Sequence, residues 1–422
     1  MKLEIENIGK IREAEVELNG ITVVAGANNS GKSTIGKVLY CVFNSFYKIE
    51  DQIYNEQANS IERILDSRLY RRRRVFGFEN IDIIDKILKN SEEYIKNIDL
   101  LKKDLLESFK QDDYGFDKDF TMTENIDEIS KKIIEVLKIS DDRILETLLL
   151  KRMDSEFNRQ INNIFFPKEE GRIKLIIKDK EVSMRIINNS IIDLSNKFSL
   201  NTEVIYIDDP YVLDEIKLYP RLNRYETYFN HRNHLQLKLL NANNNPIVNQ
   251  IIINDKFNRI FEKINTICSG DMTRNGNNNF GYKKDNSDEV LDIKNTSTGL
   301  KTFIILKTLL QNGNLEENGT IILDEPEIHL HPEWQLALAE LIILIQKEFG
   351  MHILLNTHSP YFLRAVEVYS AKYDIADKCK YYLSENEEDK FIIKDVTTYT
   401  DKIYKKLAQP LETLQIERYQ ND

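Results

Sequence analysis

Cysteine, proline and glycine are scarce in this chain of 422 residues, which holds three, eight and 15 of them. Cys41, Cys268 and Cys379 are odd in number and far apart, with neither metal-ligand spacing nor a disulfide framework, so a reducing cytoplasm is the expected location. So little glycine and proline excludes a collagen-like or linker-dominated architecture. No run approaches the roughly 18–20 uninterrupted apolar residues of a membrane-spanning helix, and no membrane crossing is expected. Met1 to Glu6 alternates apolar and charged residues without the apolar block of a signal peptide, so secretion is not expected either. Basic residues are also in deficit: 58 Lys and Arg against 69 Asp and Glu give a net charge of −11. That argues against a protein that coats DNA uniformly and leaves room for a local basic patch.

What is present suits a globular protein of more than one domain, with 41% hydrophobic and 30% charged residues. Lys2 to Asn7 and Glu13 to Leu18 read as two strands joined through Gly9-Lys10, and Ile21 to Ala25 as a strand covered on both faces. From Asn44 to Pro167 apolar residues recur three or four apart, as at Ile84, Ile87, Leu88 and Ile129, Ile133, Val136, Leu137. This predicts a compact insertion of three to five helices, one of them capped by Ser140, and no long coiled coil. Gly171 to Ile187 alternates around Lys178-Asp179-Lys180 like a hairpin, and Glu203 to Ile207 is another apolar strand. Asn241 to Pro246 and Asn275 to Asn279 are loop signals, Asn275-Gly276 being a good hairpin turn. Strands at Thr320 to Leu323 and His352 to Asn356 then alternate with helices at Thr302 to Leu310 and Trp334 to Gln346, which implies a parallel sheet.

Gly26-Ala27-Asn28-Asn29-Ser30-Gly31-Lys32-Ser33-Thr34 follows the Ile21 to Ala25 strand and opens a helix, the context a P-loop requires. Such a loop aims backbone N–H groups and a positive helix end at a polyphosphate. Lys32 would reach the β and γ phosphates of ATP, Ser33 would ligate Mg²⁺, and Thr34 would support a neighbouring phosphate. Thr320 to Leu323 delivers Asp324 and Glu325 at its carboxyl end, where open α/β sheets bind ligands. Asp324 is suited to hold Mg²⁺ through water, and Glu325 to orient or deprotonate the attacking water. His358, after the next apolar strand, is placed to sense the terminal phosphate. Ser297, Thr298 and Gly299 open a further helix and form a second anion site, which implies a nucleotide clamped between two subunits.

In this order the P-loop, the Ser-x-Gly helix start, Asp324-Glu325-Pro326 and Thr357-His358-Ser359 resemble the ABC-class ATPase head of SMC-like repair proteins and OLD-like ATPases. The stretch Asp324 to Pro332, with Thr357 to Phe362, is most similar to the OLD-like branch, which includes ATPase subunits of the antiphage systems Septu, PARIS and Gabija. The resemblance implies an α/β fold: a P-loop ABC-type ATPase head with a mixed sheet, residues 1–45 and 200–422, plus a helical insertion lobe, 46–170. Residues 171–199 would be a hairpin and connection belonging to the head. It also implies an ATPase using ATP and Mg²⁺, paired as a homodimer or higher homo-oligomer. Lys32, Glu325 and His358 would be catalytic; Gly26, Asn28, Asn29, Ser30, Gly31, Lys32, Ser33, Thr34, Ser297 and Gly299 would bind nucleotide; Ser33 and Asp324 would bind the metal. Thr298 stands where the signature carries its first glycine, and Leu330-His331 where transporters carry Leu-Asp. The expected Mg²⁺-contacting glutamine has only Gln52 and Gln57 as candidates. Too few residues follow His358 for a Toprim nuclease, so a separately encoded effector, a nuclease, is the expected partner.

Three features lie outside this set. Arg71 to Arg74, with Arg63 and Arg68, suit nucleic acid, phosphate or an acidic partner, and equally a solvated helix face. His231 and His234 superficially suggest a metal site but read better as surface residues of an amphipathic stretch. Ile403, Leu407, Leu411 and Leu414 form an apolar stripe interrupted at Pro410, expected to pack against the head.

Overall fold

The structure is a computed structural model that describes residues 1–69, 80–111, 122–216, 229–241, 258–275, 279–388 and 390–420. Their contacts separate two compact units. One is helical and includes Lys48–Leu148; the head comprises Met1–Tyr47 and, from Leu149 on, most of the remaining chain.

The head is built on an 11-stranded mixed sheet. At its centre β3 (Ile21–Ala25) is flanked by β12 (His352–Thr357) and β13 (Cys379–Glu387), and β11 (Thr320–Asp324) and β7 (Val204–Ile207) follow beyond β12, all parallel. The other side runs from β13 through β14 (Lys390–Asp395), β2 (Ile11–Glu17) and β1 (Lys2–Ile8) to β4 (Gly171–Ile177), β5 (Lys180–Ile187) and β6 (Ser190–Ser195), mostly antiparallel. The expected parallel sheet is thus the central part of a mixed one. The predicted hairpin is β4 and β5, which turn at Lys178-Asp179 from the pair Ile177 and Lys180. A separate three-stranded sheet contains β8 (Gly270–Asn275), β9 (Asn279–Lys284) and β10 (Val290–Asp292). β8 and β9 form a hairpin at the Asn275-Gly276 signal, but Asn275 pairs with Asn279 and is not a turn residue; the connection, residues 276–278, lies outside the described ones, as does 242–246 of the other Asn-rich call.

β3, β7, β11 and β12 are mostly apolar and buried along almost their whole length, as strands covered on both faces are. α1 (Lys32–Phe46) packs against β7, β11 and β12. Across the sheet Val23, Leu323 and Leu355 join Phe303, Ile304, Leu338 and Ile342 in one core; the last four come from α10 (Thr298–Gln311) and α11 (Pro332–Phe349), numbered after α2–α7 of residues 49–157, α8 (His231–Leu240) and α9, a helix including residues 258–265. Each such aliphatic side chain contributes about 1.5–3 kcal/mol by leaving water. α12 (Pro360–Lys372) and α13 (Asp401–Gln420) complete the head. Of the C-terminal stripe, Ile403 is buried and Leu407 packs on the core, but Leu414 is 62% exposed, so the expectation holds only for the first half of α13. Among the described residues no helix is long and apolar enough to cross a membrane.

In the helical unit α2 (Ile49–Leu69), α3 (Asn80–Lys89), α4 (Ser91–Lys96), α5 (Ile98–Gln111) and α6 (Met122–Leu137) bury Ile61, Ile84, Ile87, Leu101, Ile129 and Ile133 in their own core. α7 (Asp141–Phe157) starts after Ser140 as expected and makes a sixth helix among the described residues, one more than predicted, because α4 is a single separate turn-and-a-half. The expected lobe, 46–170, is also wider than the unit. Residues after Leu148 belong to the head, where Asn162 and Asn163 tie the loop after α7 to the sheet through the Ile186 and Ile11 carbonyls.

Candidate active site

β3 ends at Ala25, and the chain reverses through Gly26–Gly31 into α1. Gly31 caps α1 in the left-handed region, φ 88°, a conformation that costs glycine nothing. Lys32, 3% exposed, turns back into the loop and donates to the carbonyls of Gly26 at 3.1 Å and Ala27 at 2.9 Å. Asn28, Asn29 and Ser33 are exposed along the open side. Asn29 pairs with Lys10 of the turn between β1 and β2, and Thr34 lies beside Gly9 of that same turn. From the other side Ser384 of β13 donates to the carbonyl of Ser30 at 2.6 Å.

β11 carries its carboxylates to the same edge. Asp324 is buried and accepts from the Tyr206 hydroxyl at 2.8 Å and from the Asn356 amide at 2.9 Å. Burial, with Asp324 beside it, pushes the Tyr206 hydroxyl well above its ordinary pKa, so it remains a donor. Glu325 adopts φ 50°, unusual for a residue with a side chain, and its backbone N–H donates to Asn356 at 2.9 Å. This turn brings Glu325 Oε1 to 3.2 Å from Lys32 Nζ and 3.3 Å from His358 Nδ1. The imidazole beside it holds the Glu325 carboxyl below the usual carboxylate range against partial burial, and Lys32 adds to the effect. Reciprocally, Glu325 raises His358.

The P-loop, Asp324, Glu325 and His358 are therefore gathered at one sheet edge. Ser297 and Gly299 lie at the start of α10, where Gly299 packs against the loop that follows Glu325. Ser297 caps α10 by accepting from the Leu300 N–H, and a Cβ on Gly299 would stand 2.9 Å from the His329 carbonyl, beside Leu330 and Trp334. His331 is exposed at the start of α11. Gln52 and Gln57 fall in α2 of the helical unit. Arg71 to Arg74 lie outside the described residues.

Beside the carboxylates a cavity of about 170 Å³ is lined by Asp208, Asp209, Asp324, Glu325, Thr302 and His329, among others. Asp208, one of its lining residues, also pairs with His231, and the surroundings of His231 and His234 correct their surface reading. His231 is buried: its backbone N–H donates to Glu156 Oε1 at 2.8 Å, its Nδ1 lies 2.8 Å from Glu156 Oε2 and its Nε2 3.1 Å from Asp208 Oδ2. Its ring stacks on Tyr206, centroids 4.3 Å apart. Burial opposes the imidazolium, but the two carboxylates outweigh it and raise His231 to about 9. Asp208, against its own burial, is held at about 2 by His231 and Arg232. His234 lies 2.9 Å from Glu203. These histidines thus brace the two ends of β7, His231 through its carboxylate pairs and His234 through a hydrogen bond to Glu203. A helix whose charged face is paired inside the protein has the same periodicity as one facing water, so the spacing alone misleads.

The site's oxygens fit Mg²⁺, a hard cation that keeps several waters and takes few protein ligands beside substrate phosphates. Among the described residues no three His, Cys, Asp or Glu side chains converge into a metal cage, whereas the exposed Ser33 hydroxyl and the Asp324 carboxylate are single hard donors.

A sequence profile of the AAA ATPase domain family matches residues 1–363, and the chain belongs to that family. Among solved structures it is similar to an SmcHead bound to the C-winged helix domain of ScpA, at 13% identity over 95% of this chain and 98% of that one, TM-score 0.44. It is also similar to an SMC head domain from Thermotoga maritima (10%, 94% and 98%, TM-score 0.37). A third is an Smc head domain with an extended coiled coil from Pyrococcus furiosus, bound to the C-terminal domain of ScpA (13%, 98% and 98%, TM-score 0.40).

Proposed function

We propose that this chain binds ATP with Mg²⁺ at Gly26 to Thr34 and hydrolyses it, as the paired ATPase subunit of a bacterial antiphage complex whose separately encoded effector, a nuclease, is controlled by nucleotide-dependent dimerisation. The observation that carries the hydrolysis is the meeting of Lys32 and His358 on one oxygen of Glu325. A triphosphate at the P-loop competes with Glu325 for both partners. As Lys32 turns to phosphate, Glu325 loses a partner that depresses its pKa and becomes a better base for the attacking water. His358 then contacts the terminal phosphate or that water. Mg²⁺, when bound, neutralises charge building on the phosphates; Ser33 and Asp324 would hold it, with Tyr206 and Asn356 orienting Asp324.

Pairing is supported by the anion-binding start of α10, where Ser297 and Gly299 would meet the partner's nucleotide. The antiphage role is supported by the resemblance of Asp324 to Pro332 and Thr357 to Phe362 alone. Its test is plaque formation with and without the gene next to this one, together with pull-down of the native complex. Protection that needs both genes, lost in Lys32→Ala, supports it; protection indifferent to Lys32 and to any co-purifying nuclease refutes it. An SMC-like ATPase that grips DNA directly is the rival, motivated by Arg71 to Arg74. Alanine at all four would abolish DNA binding on that reading and leave the effector bound on ours.

A further inference from the structure

Glu327 follows Pro326 into the interior, where it is 1% exposed. Its Oε1 accepts from the Thr357 hydroxyl and, at 3.3 Å, from the backbone N–H of His358. The Thr357 hydroxyl in turn accepts from the Ser359 N–H at 3.1 Å, and the Ser359 hydroxyl donates to Gln335 Oε1 at 3.0 Å. One carboxyl thereby fastens the end of β12, from which His358 projects, to the turn that carries Glu325. Its second oxygen, Oε2, is buried without a hydrogen-bond partner among the described residues. An ionised carboxylate left half unpaired in the interior is costly, whereas a neutral acid tolerates the site. Burial pushes the Glu327 carboxyl above its ordinary range, in the same direction.

We propose that Glu327 is a positioning residue: as a hydrogen-bond acceptor, and not as a charge, it holds Thr357 and the His358 backbone so that the imidazole meets Glu325 and the terminal phosphate. The part played by the phosphate rests on the ATPase reading above; the placement of the imidazole does not.

The test compares Glu327→Gln, Glu327→Ala and Thr357→Val in the full chain. The glutamine keeps an acceptor at Oε1, so kcat should stay within about 2-fold of the parent. Glu327→Ala and Thr357→Val should lower kcat by about 10- to 100-fold with KM nearly unchanged, as a displaced catalytic group does. In the nucleotide-free protein, the ring-nitrogen resonances of His358, assigned by their loss in His358→Gln, should move in Glu327→Ala and Thr357→Val and stay in Glu327→Gln. A folded Glu327→Gln without turnover overturns the acceptor role. Unmoved His358 resonances in Thr357→Val overturn the positioning, even should Glu327→Ala not fold. If the parent hydrolyses no ATP while the resonances still move, the ATPase reading fails and the positioning stands.

Discussion

Lys32 and Glu325, from opposite ends of the chain, meet at 3.2 Å across the edge of the central sheet. On the proposed function the contact joins phosphate grip to water activation, and the two halves can be separated. Glu325→Gln should reduce ATP turnover by roughly 10²-fold or more while nucleotide still binds; Lys32→Ala should lose the binding itself. Equilibrium binding of a fluorescent ATP analogue, alongside phosphate release, reads both. Unchanged turnover in Glu325→Gln would refute the base assignment.

Tyr206→Phe removes the hydroxyl that donates to Asp324 Oδ2 and leaves the ring stacked on His231. A hydrogen bond to a carboxylate contributes about 1.5–3 kcal/mol. We expect a lower urea midpoint and a higher Mg²⁺ concentration for half-maximal turnover. A variant with wild-type Mg²⁺ dependence would show that Asp324 does not need its orientation fixed.

The buried His231 gives stability a definite pH dependence. Its pKa is raised from 6.5 to about 9 by Glu156 and Asp208, so its stabilisation is complete below pH 6.5 and is lost as pH rises towards 9. At about 1.4 kcal/mol per unit the loss is at most about 3 kcal/mol. Of the groups packed around it, Asp208 titrates near 2 and Arg232 is raised, while burial keeps Tyr40 and Tyr206 neutral, so none of these crosses that window. Thermal melts from pH 6.5 to 9 should fall for the parent and flatten for His231→Gln. Equal slopes would place the titration elsewhere.

Gly299→Ala tests what the start of α10 does within one subunit. The added methyl would lie 2.9 Å from the His329 carbonyl, a backbone atom that yields only if the loop moves. A loss of about 1–3 kcal/mol is expected in urea unfolding of dilute protein without nucleotide. Ser297→Ala, which removes a cap, should cost about 1 kcal/mol. An unaltered Gly299→Ala would leave Gly299 a role only between subunits.

Ser384→Ala removes the donor to the Ser30 carbonyl and should weaken ATP binding several-fold, since one neutral hydrogen bond contributes about 1 kcal/mol. Isothermal titration checks it; parental affinity would mean that the loop holds its shape without β13.

The elements that deliver the site were legible because each couples a local pattern to a local need: an apolar strand, a glycine turn, then Lys32; an apolar strand, then Asp324-Glu325. Tyr206, Asn356 and Ser384 were not, since their partners are distant in sequence and only strand register brings them near; Asn356 stands opposite Asp324 in the β11 and β12 ladder. The strand from Cys379 is buried continuously from Tyr381 to Ser384, yet carries a weak signal because Lys380 and the polar run from Ser384 to Glu387 break up its apolar residues. His231 and His234 misled for another reason. Charged residues normally mark solvent, and here they satisfy one another inside.

The strand that leads into the P-loop has both its ladder partners, residues 352–357 and 379–387, in the last part of the chain. During synthesis, then, the strand before the glycine loop waits as an unpaired apolar segment until residues 352–387, more than 300 positions further along, have left the ribosome. A product cut short before Cys379 would keep every residue of the glycine loop and the β12 partner of its strand, but would leave the other edge of that strand unpaired.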